Sequence, residues 1–195
     1  LAYDKFYEGI FINDVDLKGL TKEEAISKIK ESLGINNEFT LTRDNYTKKF
    51  LPKDINFSYD YENLVNQAFN IGRFGTDDER IETSKNLLKN PKKFEVKATY
   101  DLSKLNEIIS EISEKLNSNP IDEKFSFSDD KISIVEGKIG LKVENEKIVD
   151  NFKRVPVKFN FEIPAIVTEY KKIDKTLLSS IKGVIGEATT KFDNQ

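Results

Sequence analysis

The chain of 195 residues contains no cysteine, histidine, tryptophan or methionine. Without Cys or His there is no thiol nucleophile, no Ser-His-Asp or Cys-His machinery, no histidine proton shuttle and no zinc site of the usual ligand types. Charge of one sign is missing too: 31 Lys and Arg are interleaved with 34 Asp and Glu, for a net charge of -3. A nucleic-acid binder relies on a clustered basic footprint that is often rich in arginine. The four arginines here, Arg43, Arg73, Arg80 and Arg154, are scattered, so no nucleic-acid partner is expected. Long apolar runs are also absent. No window approaches the roughly 18 residues of a membrane span, and none reads as a secretory leader. The first residue, Leu1, is not an initiator, so any anchor or targeting signal is expected upstream of it. No cofactor, no metal and no catalytic residue set is expected in this chain.

Apolar residues make up 37% and charged residues 33%, and 14 Phe with 7 Tyr are too many aromatics for a disordered chain. A chain of this length buries roughly 70% of the surface its unfolded form exposes, enough for a core without staples.

The clearest element is "GLTKEEAISKIKESLG". Thr21 and Glu24 have the spacing of a capping box, Ala25, Ile29 and Leu33 share one face, and Gly34 supplies a left-handed stop. The spacing predicts a helix over about 21–33. Upstream, "GIFINDVDL" alternates as a strand. Downstream, "FTLTRDNYTKKFLP" reads as a hairpin and "INFSYD" as a strand with Ile55, Phe57 and Tyr59 on one face. Asp60 is then placed to cap a second helix carrying Tyr61, Leu64, Val65, Ala68 and Phe69 on one stripe.

A similar order returns about 84 residues later, where Leu141 stands for Phe57 and Glu144 for Asp60. The strand "FEVKATYD" precedes a helix with Leu105, Ile108, Ile109, Ile112 and Leu116 on one stripe. The hairpin "KFSFSDDKISIVEG" follows, with Asp129 and Asp130 at its tip, and then "KIGLKVENEKIVDNF". Both halves read strand, helix, hairpin, strand, helix. This predicts an α+β fold of two similar units, with mostly antiparallel sheets and helices packed on one face. The first unit spans 1–75, a helical connector 76–92, and the second unit 93–172. A last strand is expected in "VPVKFNFEIP", with Pro156 and Pro164 marking its limits.

Taken together, "GIFINDVDLKGLTKEEAISKIKESL", "NIGRFG", "KATYDLSKLNEIISEISEKLNSNPIDEKF" and "VEGKIGLKVENEKIV" resemble the YoaR-like peptidoglycan-binding region of Gram-positive envelope proteins. The resemblance covers most of the chain. Such regions precede either a VanW-type domain or the catalytic domain of some L,D-transpeptidases, and "IGEATTKF" is more similar to the opening of a VanW-type domain, expected over 173–195. The resemblance implies a non-catalytic, cell-wall-associated module outside the cell, tethered by an N-terminal transmembrane helix, which binds peptidoglycan or another wall polymer or acts as a spacer. The alternative is an accessory segment of a wall enzyme such as an L,D-transpeptidase. A monomer is expected, and a protein-interaction surface along an edge strand near 155–163 is a third reading.

Four residues are the candidate ligand contacts. In "NIGRFG", Gly72 and Gly75 release backbone amides beside Arg73, which suits an acid; equally, Gly72 ends a helix and Arg73 pairs with the helix dipole or with Asp77, Asp78 or Glu79. Tyr59 and Tyr100 occupy equivalent places in the two halves and offer ring faces to a sugar, with core packing as the alternative. In "EGKIG", Lys138 either meets a ligand or is solvated while Gly137 and Gly140 shape a turn. The adjacent acid pairs Glu23 with Glu24, Asp77 with Asp78, and Asp129 with Asp130 lack the separation of a glycosidase acid and base.

Overall fold

The computed structural model of the chain describes residues 4–36, 38–128 and 131–177. Its elements run β1 (Ile10–Ile12), β2 (Val15–Asp16), α1 (Lys22–Ser32), β3 (Phe39–Arg43), β4 (Tyr46–Phe50), a 3-10 turn (Pro52–Ile55), β5 (Ser58–Tyr59), α2 (Tyr61–Phe69), α3 (Asp77–Lys89), β6 (Lys92–Phe94), β7 (Ala98–Thr99), α4 (Leu102–Leu116), β8 (Lys124–Ser128), β9 (Lys131–Val135), β10 (Gly140–Val143), α5 (Asn145–Lys153), β11 (Asn160–Glu162) and β12 (Ala165–Thr168). The class is α+β, with helices interspersed among several small sheets, and each half carries the expected order of strand, helix, hairpin, strand and helix. Two compact units are present, Leu1–Leu116 with Val143–Ala165, and Asn117–Lys142 with Ile166–Gln195.

In the first unit, strands far apart in sequence lie side by side. Antiparallel pairs join β1 to β2, β3 to β4, and β5 to β7, while β6 adds in parallel to β1 and β11 in parallel to β3. Parallel neighbours need long connections, and the intervening helices provide them. Two apolar clusters result. One gathers Ile10, Ile12, Ala25, Ile29, Val65, Ala68 and Leu87 from β1, α1, α2 and α3, with Leu17 from the segment after β2. The other is centred on Phe39, whose ring lies 4.4–5.2 Å from those of Phe50, Phe57, Phe152 and Phe159.

The α1 cap forms as expected: Thr21 Oγ1 accepts from the Glu24 amide at 3.2 Å, and Glu24 Oε2 accepts from the Thr21 amide at 2.8 Å. A second capping box, which the sequence reading did not mark, opens α3, where Glu79 Oε2 accepts from the Thr76 amide at 2.7 Å. That bond, more than any other contact, holds the Glu79 carboxyl below the ordinary glutamate range. A depressed carboxyl stabilises the fold above its unfolded value and loses that contribution as pH falls through the folded one. Protection of the first-turn amides of α3 from hydrogen exchange is therefore expected to fall on acidification from the ordinary glutamate range downward. A Thr76→Ala variant should lose about 1 kcal/mol at neutral pH. Unchanged first-turn protection down to the pH of global unfolding would remove the cap from the account.

Several expected strands are broken where tertiary partners intervene. "GIFINDVDL" is a hairpin rather than one strand, turning at Asn13 in the left-handed region with φ 49°. In "INFSYD" Ile55 belongs to the 3-10 turn, closed by left-handed Asn56, so the alternation marks burial more than extension. "FEVKATYD" is split between two sheets as β6 and β7, because Asn13 Oδ1 takes the Val96 amide at 2.9 Å and Asp60 Oδ1 takes the Lys97 amide at 2.7 Å. The same bond corrects the expected capping role of Asp60: its side chain makes no bond to α2. The last strand is shorter than expected, and pairing resumes beyond Pro164 in β12.

In the second unit, β8 and β9 form the expected hairpin, with Phe125 opposite Ile134 and Phe127 opposite Ile132. Antiparallel bridges join Ser118 to Leu141 and Ile121 to Lys138, and Lys171 donates its amide to Asp122 Oδ1 at 2.8 Å. The expected tip residues Asp129 and Asp130, and most of the 173–195 segment, lie outside the described residues.

Candidate ligand-binding groove

A groove of about 540 Å³ opens in the first unit where β5 runs directly into α2. The stretch Phe57 to Asn63 crosses it, so one short piece of chain supplies both the aromatic surface and the polar rim. Extended backbone at β5 sends alternate side chains to opposite sides, and after the turn into α2 Tyr61 lines the same groove as Tyr59. Phe57 and Tyr59 meet edge to face, 4.9 Å between ring centres and 80° between planes. Asp60, Glu62 and Asn63 add two carboxylates and an amide, and none of the described residues lining the groove is a lysine or arginine.

Tyr59 is fixed from behind. It packs against both apolar clusters, and its hydroxyl accepts the Val157 amide at 2.8 Å. Burial pushes the phenol pKa up, while the Val157 amide pulls the other way. Tyr59→Phe keeps the ring but deprives a half-buried amide of its acceptor. A stability loss of about 1–2 kcal/mol is expected in thermal unfolding, and a melting curve identical to wild type would refute the structural role of this bond. Tyr61 is half-buried, with the Lys30 ammonium 5.7 Å from its ring centre.

The other sequence-selected residues lie elsewhere. Tyr100 is half-buried against the Phe39 cluster, its ring 5.6 Å from that of Phe152. The Arg73 guanidinium stacks on Phe69 at 3.6 Å, donates to the Phe69 carbonyl at the end of α2, and donates to the Lys5 carbonyl at 2.6 Å. Beside it, the side-chain position of Gly75, at φ 96°, is filled by Glu79 Oε2, only 2.5 Å from where a Cβ would stand. A negative oxygen there opposes the binding of an anion. Lys138 is exposed in the second unit, its backbone bridged to Ile121. Sequence reasoning picked out Tyr59 but placed Tyr61 on a helix stripe, treated Asp60 as a cap and passed over Glu62 and Asn63. Their signal was proximity: seven consecutive residues at a strand-to-helix junction share one surface.

Aromatic faces next to carboxylate and amide groups suit a ligand held by stacking and hydrogen bonds, the make-up of a binding module. Among the described residues no group of three or more acids is arranged to hold a metal ion, and no helix is long and apolar enough to cross a membrane. Residues 49–158 match the family described as "Putative peptidoglycan binding domain". The match covers more than half of the 195 residues, and the chain belongs to that family. No curated protein and no solved structure matches the chain.

Proposed function

We propose that the chain is a non-catalytic, extracellular module that binds peptidoglycan through the Tyr59–Tyr61 groove and spaces or presents a following domain in the wall. The observation that carries this reading is the aromatic groove, whose central stretch Phe57 to Asn63 lies inside the span matched to the peptidoglycan-binding family. Tethering by an upstream transmembrane helix, a Gram-positive source and a VanW-type domain opening over 173–195 belong to the same proposal and rest on the sequence resemblance. So does a duplicated unit over 1–75 and 93–172 around a connector at 76–92, which the repeated element order supports.

Co-sedimentation with purified peptidoglycan sacculi at low and high salt tests the binding role. Retention is expected at low salt, and no retention at either salt would leave only the spacer role. Within a binding-competent chain, Tyr61→Ala is expected to weaken retention about fivefold, the worth of one lost aromatic stack. Arg73→Ala, Tyr100→Phe and Lys138→Gln test the three contacts proposed outside the groove. Any of them that lowers retention without lowering the melting temperature extends the site beyond the groove.

A further inference from the structure

The charge of the groove says more about its ligand than its aromatics do. Asp60 and Glu62 face it, and no lysine or arginine is among its described lining residues. Asp60 is half-buried, and only its Oδ1 is engaged by the Lys97 amide. A carboxylate in a concave, partly dry setting is screened less than one on open surface. Its field repels the peptide carboxylates and the phosphates of a wall polymer and attracts a cation. Aromatic ring faces add to that preference, because their quadrupole favours a cation over the ring. The Lys30 ammonium near the Tyr61 ring shows such a contact already made within the chain.

Building on the peptidoglycan-binding reading, we propose that the groove takes the uncross-linked side-chain ammonium of a peptidoglycan stem peptide, held by Asp60 and Glu62 beside Tyr59 and Tyr61. The neutral glycan then serves as the surface from which that group projects. A module of this kind distinguishes wall with unused cross-linking amines from fully cross-linked wall.

The test compares retention of the chain on native sacculi, on sacculi whose primary amines have been acetylated, and on partially de-N-acetylated chitin, which carries sugar amines without peptide. Retention on native sacculi is expected to exceed that on acetylated sacculi about tenfold at low salt, with little retention on the chitin. Asp60→Asn, which keeps an acceptor for Lys97, and Glu62→Gln should each weaken binding to native sacculi about fivefold. Glu107→Gln, an exposed acid on α4, should not, which separates a local effect from net charge. Lys30→Gln removes a competing cation and is expected to strengthen retention, whereas for an anionic ligand the sign reverses. Equal retention on native and acetylated sacculi overturns the ammonium assignment and leaves the peptidoglycan reading intact. Strong retention on the chitin overturns the assignment to the stem peptide, and no retention on native sacculi overturns both.

Discussion

Replacing Gly9 by alanine is expected to lower stability by about 4 kcal/mol and the melting temperature by about 10 °C. Gly9 sits at φ 86°, a conformation L side chains rarely adopt, and a Cβ there would stand 2.3 Å from the Leu87 carbonyl oxygen and 2.8 Å from its carbon. The obstacle is the backbone of α3, which cannot swing aside as a side-chain tip can. Relief requires α3 to move away, and its one buried side chain, Leu87, belongs to the cluster formed with β1, α1 and α2. The Gly9 carbonyl also accepts the Lys92 amide at 2.8 Å, so the displacement reaches the β1–β6 pairing. Thermal unfolding followed by circular dichroism measures the effect. A loss below about 1 kcal/mol would mean that α3 is not held against β1 as described.

The second large effect is expected at Phe39. Its side chain is fully buried and meets four other phenylalanine rings, nearly coplanar with Phe159 at 8° and edge to face with Phe57 at 88°. Removing the ring forfeits its transfer free energy and leaves a cavity bounded by β4, α5 and the approach to β11, three elements that cannot close in together. Phe39→Ala should cost about 4 kcal/mol. Phe74, 75% exposed, is the matched control, and Phe74→Ala is expected to change stability by less than about 0.5 kcal/mol. The contrast matters for function, because Phe57 and Phe159 contact Phe39 on one side and line the groove on the other. A loosened Phe39 cluster should therefore weaken ligand binding without any change in a residue that faces the ligand.

Local features were legible in the sequence where their cause is local. A hydroxyl and a carboxylate three residues apart close on each other at Thr21 and Glu24 whatever lies nearby, and the stripes of α1, α2 and α4 follow from helical period alone. The hairpin at Phe39–Phe50 and the ordered elements of both halves follow in the same way. Strand limits did not, because a strand exists only where another strand or side chain takes its hydrogen bonds. Asn13 and Asp60 reach across 83 and 37 residues to the Val96 and Lys97 amides, and nothing near Phe94–Tyr100 announces either partner.

The same division applies to the groove. That Tyr59 and Tyr61 have faces to offer, that acids and bases are mixed along the chain, and that no thiol or imidazole chemistry is available are matters of residue type, settled by the sequence alone. Which tyrosine faces a groove and which packs against the core depends on the long-range β5–β7 pairing and on the Val157 amide held to Tyr59. By sequence Arg73 and Tyr59 are both candidate ligand contacts, each with a structural alternative. Tertiary structure separated them, because carbonyls at Lys5 and Phe69 and the Phe69 ring converge on the guanidinium, while the acids beside Tyr59 meet no arginine or lysine within the groove.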